Sequence, residues 1–444
     1  MPIRISGSTG ISGLDGSATT PVLQGASANS GIYYSGNTVF VATSGTTALT
    51  IGPTGNVALT NNNFSIAGQY ISPYSGMMKN RIINGDFRID QRFAGAANNN
   101  IVGSQYVVDR WRSNGSSAAK LRLQQNNTNG PGSSATQTAT GFPYYFGANV
   151  VSSNTVNSTD YWFFAQDIEG LNTADLGWGT ANASPVTLSF WSYSSIAGTH
   201  GGSIRNYDAN RAYPFSYSIS AANTWQYQTI TVPGDTTGNW FSNNNIGLTV
   251  FFGMGLGSNY TSTANGTWQI GNILSASGSV SPVSSSNGSF YLTGVQLEKG
   301  SQATAFEFRH YTTELQLCQR YYENSFSYDQ SAVGNNKNAP PCIMSMYLSS
   351  DGQTQPIYFK VSKRVAPTLT QYSSNNVGSP TAGQWQYYVS GSGWINPPGG
   401  ATTSLAQRGY DAFNATLSGV SLTAGYSYLM AGNWTASAEL NVQN

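Results

Sequence analysis

Asn80-Arg81-Ile82-Ile83-Asn84-Gly85-Asp86-Phe87, followed by Asp109-Arg110-Trp111, is the stretch from which the chain can be read. About 200 residues later come Gly294-Val295-Gln296-Leu297-Glu298-Lys299-Gly300, Phe306-Glu307-Phe308-Arg309 and Leu317-Cys318-Gln319-Arg320-Tyr321-Tyr322. Strand-like runs recur between them. Val186–Tyr193 alternates with both faces partly apolar, and Trp225–Val232 alternates over Trp, Tyr and Thr. Ile246, Leu248, Val250 and Phe252 alternate cleanly, and Phe290–Leu297 follows. The intervening loops are rich in Gly, Asn and Ser, at 198–202, 243–245 and 275–289. Many short strands without helical periodicity predict an antiparallel sandwich or jelly roll over 76–310.

Working outward, Thr312–Asn324 reads as the one linking helix, assigned to 311–324. Thr312 or Thr313 caps it, Glu314 lies in its first turn, and Leu315, Cys318 and Tyr322 share a face. Beyond it, 325–444 reads as a C-terminal β domain, with Ile357, Phe359 and Val361 alternating, as do Tyr426, Tyr428 and Met430. Before the sandwich, residues 1–75 are rich in Gly, Ser and Thr. They carry short β-prone pieces at 31–34, 37–41, 48–51 and 56–59. Strands this short bury too little to fold alone, so this segment is expected to be interwoven between chains that share a core. The predicted class is all-β.

Composition narrows the function. Charged residues make up 8% of 444, against about 25% in an average protein. With 27 Tyr, 19 Phe and 10 Trp the chain is aromatic-rich, unlike disordered chains. The net charge is +1 without basic runs. Nucleic-acid binding, which needs concentrated Lys and Arg, is therefore not expected. No apolar window approaches ~18 residues, and the start lacks the apolar core of a signal peptide.

The order and spacing of the motifs resemble the carbohydrate-binding-like jelly-roll module of bacteriophage fibre proteins of tail, neck or head. Phe359–Thr368 and Ala436–Leu440 resemble the C-terminal part of that family. Residues 11–18 and 45–49 resemble virion-anchoring segments. The resemblance implies a homotrimeric virion fibre on the particle surface, attached to other virion proteins by its N-terminal segment. It also implies contact with host cell-surface polysaccharide by avidity. A purely structural decoration or adaptor fibre is the second reading, and a capsule depolymerase the third.

Saccharides are held by aromatic rings with Asn, Gln and Asp. The densest such patch is C-terminal, and Trp385, Tyr387, Trp394, Asn396 and Trp434 are the candidate glycan contacts, although large aromatics usually fill cores. For hydrolysis, Asp167 and Glu169 would share a strand face about 7 Å apart, with Asp160, Asp175 and Asp208 also available. The ordinary reading of these acids is solvated side chains and turn caps. No catalytic residue is expected. His200 reads as an exposed loop residue and His310 as a structural one at a domain junction. No cofactor or metal motif is present, and a loop calcium at Asp86 or Asp90 would leave no sequence signature. Cys318 and Cys342 read as two free, buried thiols, with a single bridge as the minor alternative.

Overall fold

The computed structural model describes residues 4–6, 10–12, 15–24, 26–54, 57–59, 64–66, 69–71, 78–99, 103–326, 342–348, 352–373, 385–389, 392–395, 402–406, 409–420 and 427–440. The chain forms two compact units. One comprises 1–79 with 302–305, the other 80–301 with 306–444.

The first unit is a run of antiparallel strands: β1 (Arg4–Ser6), β2 (Gly10–Ser12), β3 (Leu23–Gln24), β4 (Gly31–Ser35), β5 (Thr38–Thr43), β6 (Thr46–Ile51), β7 (Val57–Leu59), β8 (Phe64–Ile66) and β9 (Gln69–Ile71). β3 to β7 form a five-stranded meander in sequence order. Among its described residues the buried apolar ones are Pro21, Tyr33 and Ala42, while Leu23, Ile51 and Val57 are exposed.

The second unit is built on a jelly-roll sandwich. Its strands are β10 (Gln105–Val108), β11 (Trp111–Gly115), β12 (Leu121–Gln125), β13 (Phe146–Val150), β14 (Tyr161–Glu169), β15 (Val186–Ser194), β16 (Gly198–Arg205), β17 (Ala212–Ile219), β18 (Gln226–Val232), β19 (Ile246–Leu256), the short parallel pair β20 (Thr261–Ser262) and β21 (Ser275–Ala276), and β22 (Ser289–Lys299). A six-stranded sheet in the order β10-β11-β14-β19-β16-β17 faces a five-stranded one in the order β12-β13-β22-β15-β18. Aromatic rings from the two inner faces fill the gap. Phe164 packs on Phe146 at 5.1 Å and Phe190 on Phe252 at 5.0 Å between ring centroids. The alternation read at Leu248, Val250 and Phe252 is what points those residues into this core.

The two deciding stretches meet in space. Arg81 N donates to Leu297 O (2.8 Å) and Val295 N to Gly85 O (2.9 Å). Asn80 Oδ1 accepts from both Ile82 N and Leu297 N. A Cβ on Gly85 would lie 2.0 Å from Val295 O, so only glycine fits there. Asn84 donates through Nδ2 to Ile89 O and Asp109 O, and Trp111 Nε1 donates to Asn84 O. These motif residues close the sandwich.

The helix is shorter than predicted. It spans Tyr311–Gln319 (α2), with His310 at the N-cap and no side-chain capping bond. Residues 322–324 are a strand, β23 (Tyr322–Asn324), because they pair with the long β32 (Ser427–Ser437) of the C-terminal sheet. A helix the sequence reading did not anticipate, α1 (Ser133–Thr140), buries only Thr136. The other C-terminal strands are β24 (Cys342–Leu348), β25 (Gly352–Thr354), β26 (Ile357–Tyr358), β27 (Thr368–Ser373), β28 (Gln386–Val389), β29 (Gly393–Ile395), β30 (Thr402–Ala406) and β31 (Ala412–Ser418). β32 is the hub, pairing with β23, β24, β27 and β28.

In a chain so poor in charge, many of the ionisable groups lie inside. Arg110 and Arg92 both pair with Glu439 of the C-terminal segment. Arg320 pairs with Glu169 at 2.7 Å and Lys363 with Glu323 at 2.6 Å. Cys318 is free and buried, and burial pushes its thiol well above the usual range. The Cys342 side chain lies outside the described residues.

Burial shifts three carboxyls, Asp86, Asp90 and Asp109, towards the protonated form. Burial pushes Asp109 up to about 7 against the pull of Arg92, and Asp86 up to about 6 against Arg88. A raised carboxyl contributes stability that is fully present below its unfolded value of ~4 and is lost as pH rises through the folded value. These carboxyls should therefore raise the unfolding midpoint as pH is lowered from 8 towards 5, against the opposing effect of buried His200 as pH falls through its ordinary value. Asp109→Asn should flatten that rise in a thermal-melt series. Asp167 acts in the opposite sense, but its contribution is lost only as pH falls below the usual carboxylate range.

Candidate functional site

Tyr161-Trp162-Phe163-Phe164 in β14 carries aromatics on both faces of one sheet. Trp162 and Phe164 point into the core, whereas Phe163 joins Phe251 and Leu274 in a separate cluster on the outer face. Arg112 and Asn114 of β11, Arg205 of β16 and Phe251 of β19 reach the outer face beside Phe163. Loop residues Tyr207, Asp208, Tyr260 and Asn272 rise around them. The result is an open cleft of about 640 Å³.

Its walls are aromatic. Tyr161 and Tyr260 meet edge to face at 5.4 Å, and Phe163 and Phe251 at 5.2 Å. Its floor is polar. The Arg112 guanidinium is bidentate to Asp167, at 2.7 and 3.1 Å. Thr249 Oγ1 and Tyr106 OH also donate to that carboxylate. Burial would raise Asp167, but Arg112 outweighs it and holds the carboxyl below its ordinary value. Arg205 is buried, donates to Asn272 Oδ1 and packs its guanidinium 4.9 Å from the Phe251 ring centroid. Two buried polar atoms of the floor, Asn114 Oδ1 and Arg205 Nε, have no hydrogen-bond partner among the described residues.

The residues singled out from sequence fall elsewhere. Trp385, Tyr387 and Trp434 lie in the core of the C-terminal sheet, at 0%, 5% and 4% exposure. Trp385 Nε1 donates to Asn433 O. That burial takes these three away from solvent in this chain. Trp394 is different: it is exposed and pairs across β28–β29 with exposed Tyr388, ring centroids 5.6 Å apart. Asn396 lies outside the described residues.

Asp167 and Glu169 do not face each other across open space. Glu169 is held by Arg320 and by Tyr321 OH at 2.6 Å, as Asp167 is by Arg112. Asp160 accepts from Asn157, Asp175 pairs with Arg81, and Asp208 accepts from Asn239. His200 is not in an exposed loop. It is fully buried on β16, donates from Nε2 to Ile196 O and stacks on Phe290, and burial lowers its pKa. His310 is exposed at the start of α2. Asp90 accepts from the backbone N–H groups of Phe93 and Gly95 as a turn cap, and Asp86 pairs with Arg88. Among the described residues no group of three or more His, Cys, Asp or Glu is placed to hold a metal.

No family profile and no curated relative matches the sequence. Structural likenesses are distant. TmCBM61, solved with β-1,4-galactotriose, is 9% identical over 50% of this chain and 98% of that one, with a TM-score of 0.25. A family 11 carbohydrate-binding module from Clostridium thermocellum, solved with a mixed-linked tetrasaccharide, is 12% identical over 46% and 97%, with a TM-score of 0.23. The enzymatically active domain of bacteriophage CBA120 tailspike protein 4 is 13% identical over 50% of this chain, with a TM-score of 0.25, and the match spans only 21% of its length.

Proposed function

We propose that this protein binds glycan in the outer-face cleft of its six-stranded sheet and does so as a bacteriophage virion fibre that contacts host-surface polysaccharide. The observation that carries the binding reading is the cleft itself. Aromatic walls offer apolar faces to sugar C–H groups. The floor presents Asn114, Arg205 and Asn272 to hydroxyls, with Asn114 Oδ1 and Arg205 Nε unsatisfied among the described residues. Exposed Trp394 with Tyr388 is a second, smaller stacking surface.

The fibre reading rests on the motif resemblance and on the N-terminal unit. A five-stranded meander that buries so few apolar side chains and exposes Leu23, Ile51 and Val57 gains from packing against copies of itself. Three copies on one particle turn weak sites into strong attachment.

The test is a glycan array followed by titration calorimetry. Tyr260→Ala is expected to weaken binding about tenfold while leaving the unfolding midpoint nearly unchanged. Light scattering of the full chain should give about three times 47.2 kDa. An array without hits would remove the binding reading, and a monomer in solution would remove avidity.

A further inference from the structure

If the cleft holds glycan, its charges select the glycan. We propose that the cleft takes an acidic saccharide, one carrying a carboxylate as uronic acids do, and that Arg205 receives that carboxylate.

Two guanidiniums lie on the floor, and they differ. Arg112 is neutralised by the bidentate Asp167. Arg205 is 5% exposed and has no carboxylate partner among the described residues. Its one hydrogen bond goes to a neutral amide, Asn272. Its Nε is buried without a hydrogen-bond partner among the described residues, and its guanidinium lies against the face of Phe251. Burial first and Arg112 second outweigh the attraction of Asp167 and lower its pKa to about 10, so it is still cationic at neutral pH. A buried cation without a directly paired anion is costly, and the cost is relieved when one arrives. A planar guanidinium with free N–H groups matches a planar carboxylate. Of the nearby carboxylates, Asp167 is engaged by Arg112, and Asp208, which lines the cleft, is exposed and engaged by Asn239, so it sits at the rim. A neutral sugar would satisfy the walls and leave Arg205 as it is.

The experiment uses the full chain and needs no variant for its main result. Uronic-acid polysaccharides (polygalacturonate, alginate and hyaluronan) are titrated beside their carboxyl-reduced counterparts, which keep the chain and lose the charge. The expected result is that at least one acidic form binds about tenfold or more tightly than its reduced form, with the difference shrinking at high salt. Arg205→Gln should bring the acidic form down to the reduced one, and Arg205→Lys should recover part of the difference if the glutamine variant is poorly folded. Equal or tighter binding of the reduced forms would overturn acidic selection while leaving glycan binding in place. Binding of neither form would overturn both.

Discussion

Glu439→Ala should destabilise the protein by about 3–5 kcal/mol, read as a fall in the unfolding midpoint. Glu439 is 5% exposed and carries both Arg110, at 1%, and Arg92. Arg110 also donates to Asp167 O and lies 3.6 Å over the Tyr321 ring. Removing the carboxylate takes the anionic partner from two largely buried guanidiniums, leaving Arg110 its bond to Asp167 O. The pair itself need not be worth that much: most of the loss is the penalty of a buried charge left alone. Glu439→Gln, which still accepts a hydrogen bond, should fall between the two. A silent alanine variant would show that the interface between the sandwich and the C-terminal sheet does not depend on these ions.

Trp385→Ala should cost about 3–5 kcal/mol as well, through a cavity. Trp385 is fully buried, packs in the cluster with Phe413 and Trp434, and is pinned by its Nε1 bond to Asn433 O and by Thr403 Oγ1 on its backbone N–H. Trp394→Ala, by contrast, should change stability by no more than about 0.5 kcal/mol, since the side chain is exposed on a hairpin. Calorimetry on both variants separates the two kinds of aromatic. A mild Trp385 variant would contradict a core role for this side chain.

Much of the fold was legible because the sandwich strands alternate cleanly. Val186–Tyr193, Trp225–Val232, Ile246–Phe252 and Phe290–Leu297 all lie within or next to observed strands. Gly198-Thr199-His200-Gly201-Gly202 misled because glycine usually marks a turn. In this sheet it marks close approach: a Cβ on Gly202 would lie 2.2 Å from Phe251 O. α1 was hidden because its Ser, Thr and Gln residues show no apolar stripe. The linking helix was overrun because its periodicity continues into Tyr322, and only the pairing with β32 ends it.

The cleft was harder to see. Its residues come from several strands and loops, and no local spacing joins Arg112, Phe163, Arg205 and Phe251. One signal was available. Four consecutive aromatics in Tyr161–Phe164 cannot all face one core, so a strand bearing them must present rings on its other side. The C-terminal aromatics form a denser pattern in sequence, but density of large rings is also what a core requires.

The Arg110–Glu439 contact spans 329 residues, and that distance is also an interval of time. At ~5–20 residues per second, on the order of tens of seconds pass between synthesis of the arginine and of its partner. Through that interval the chain carries Arg110 without the carboxylate that pairs with it in the finished fold. A chain truncated before Glu439 would lack the carboxylate that pairs with Arg110 and Arg92. The contact therefore makes closure of this part of the interior a late event in synthesis, tied to residues near position 439.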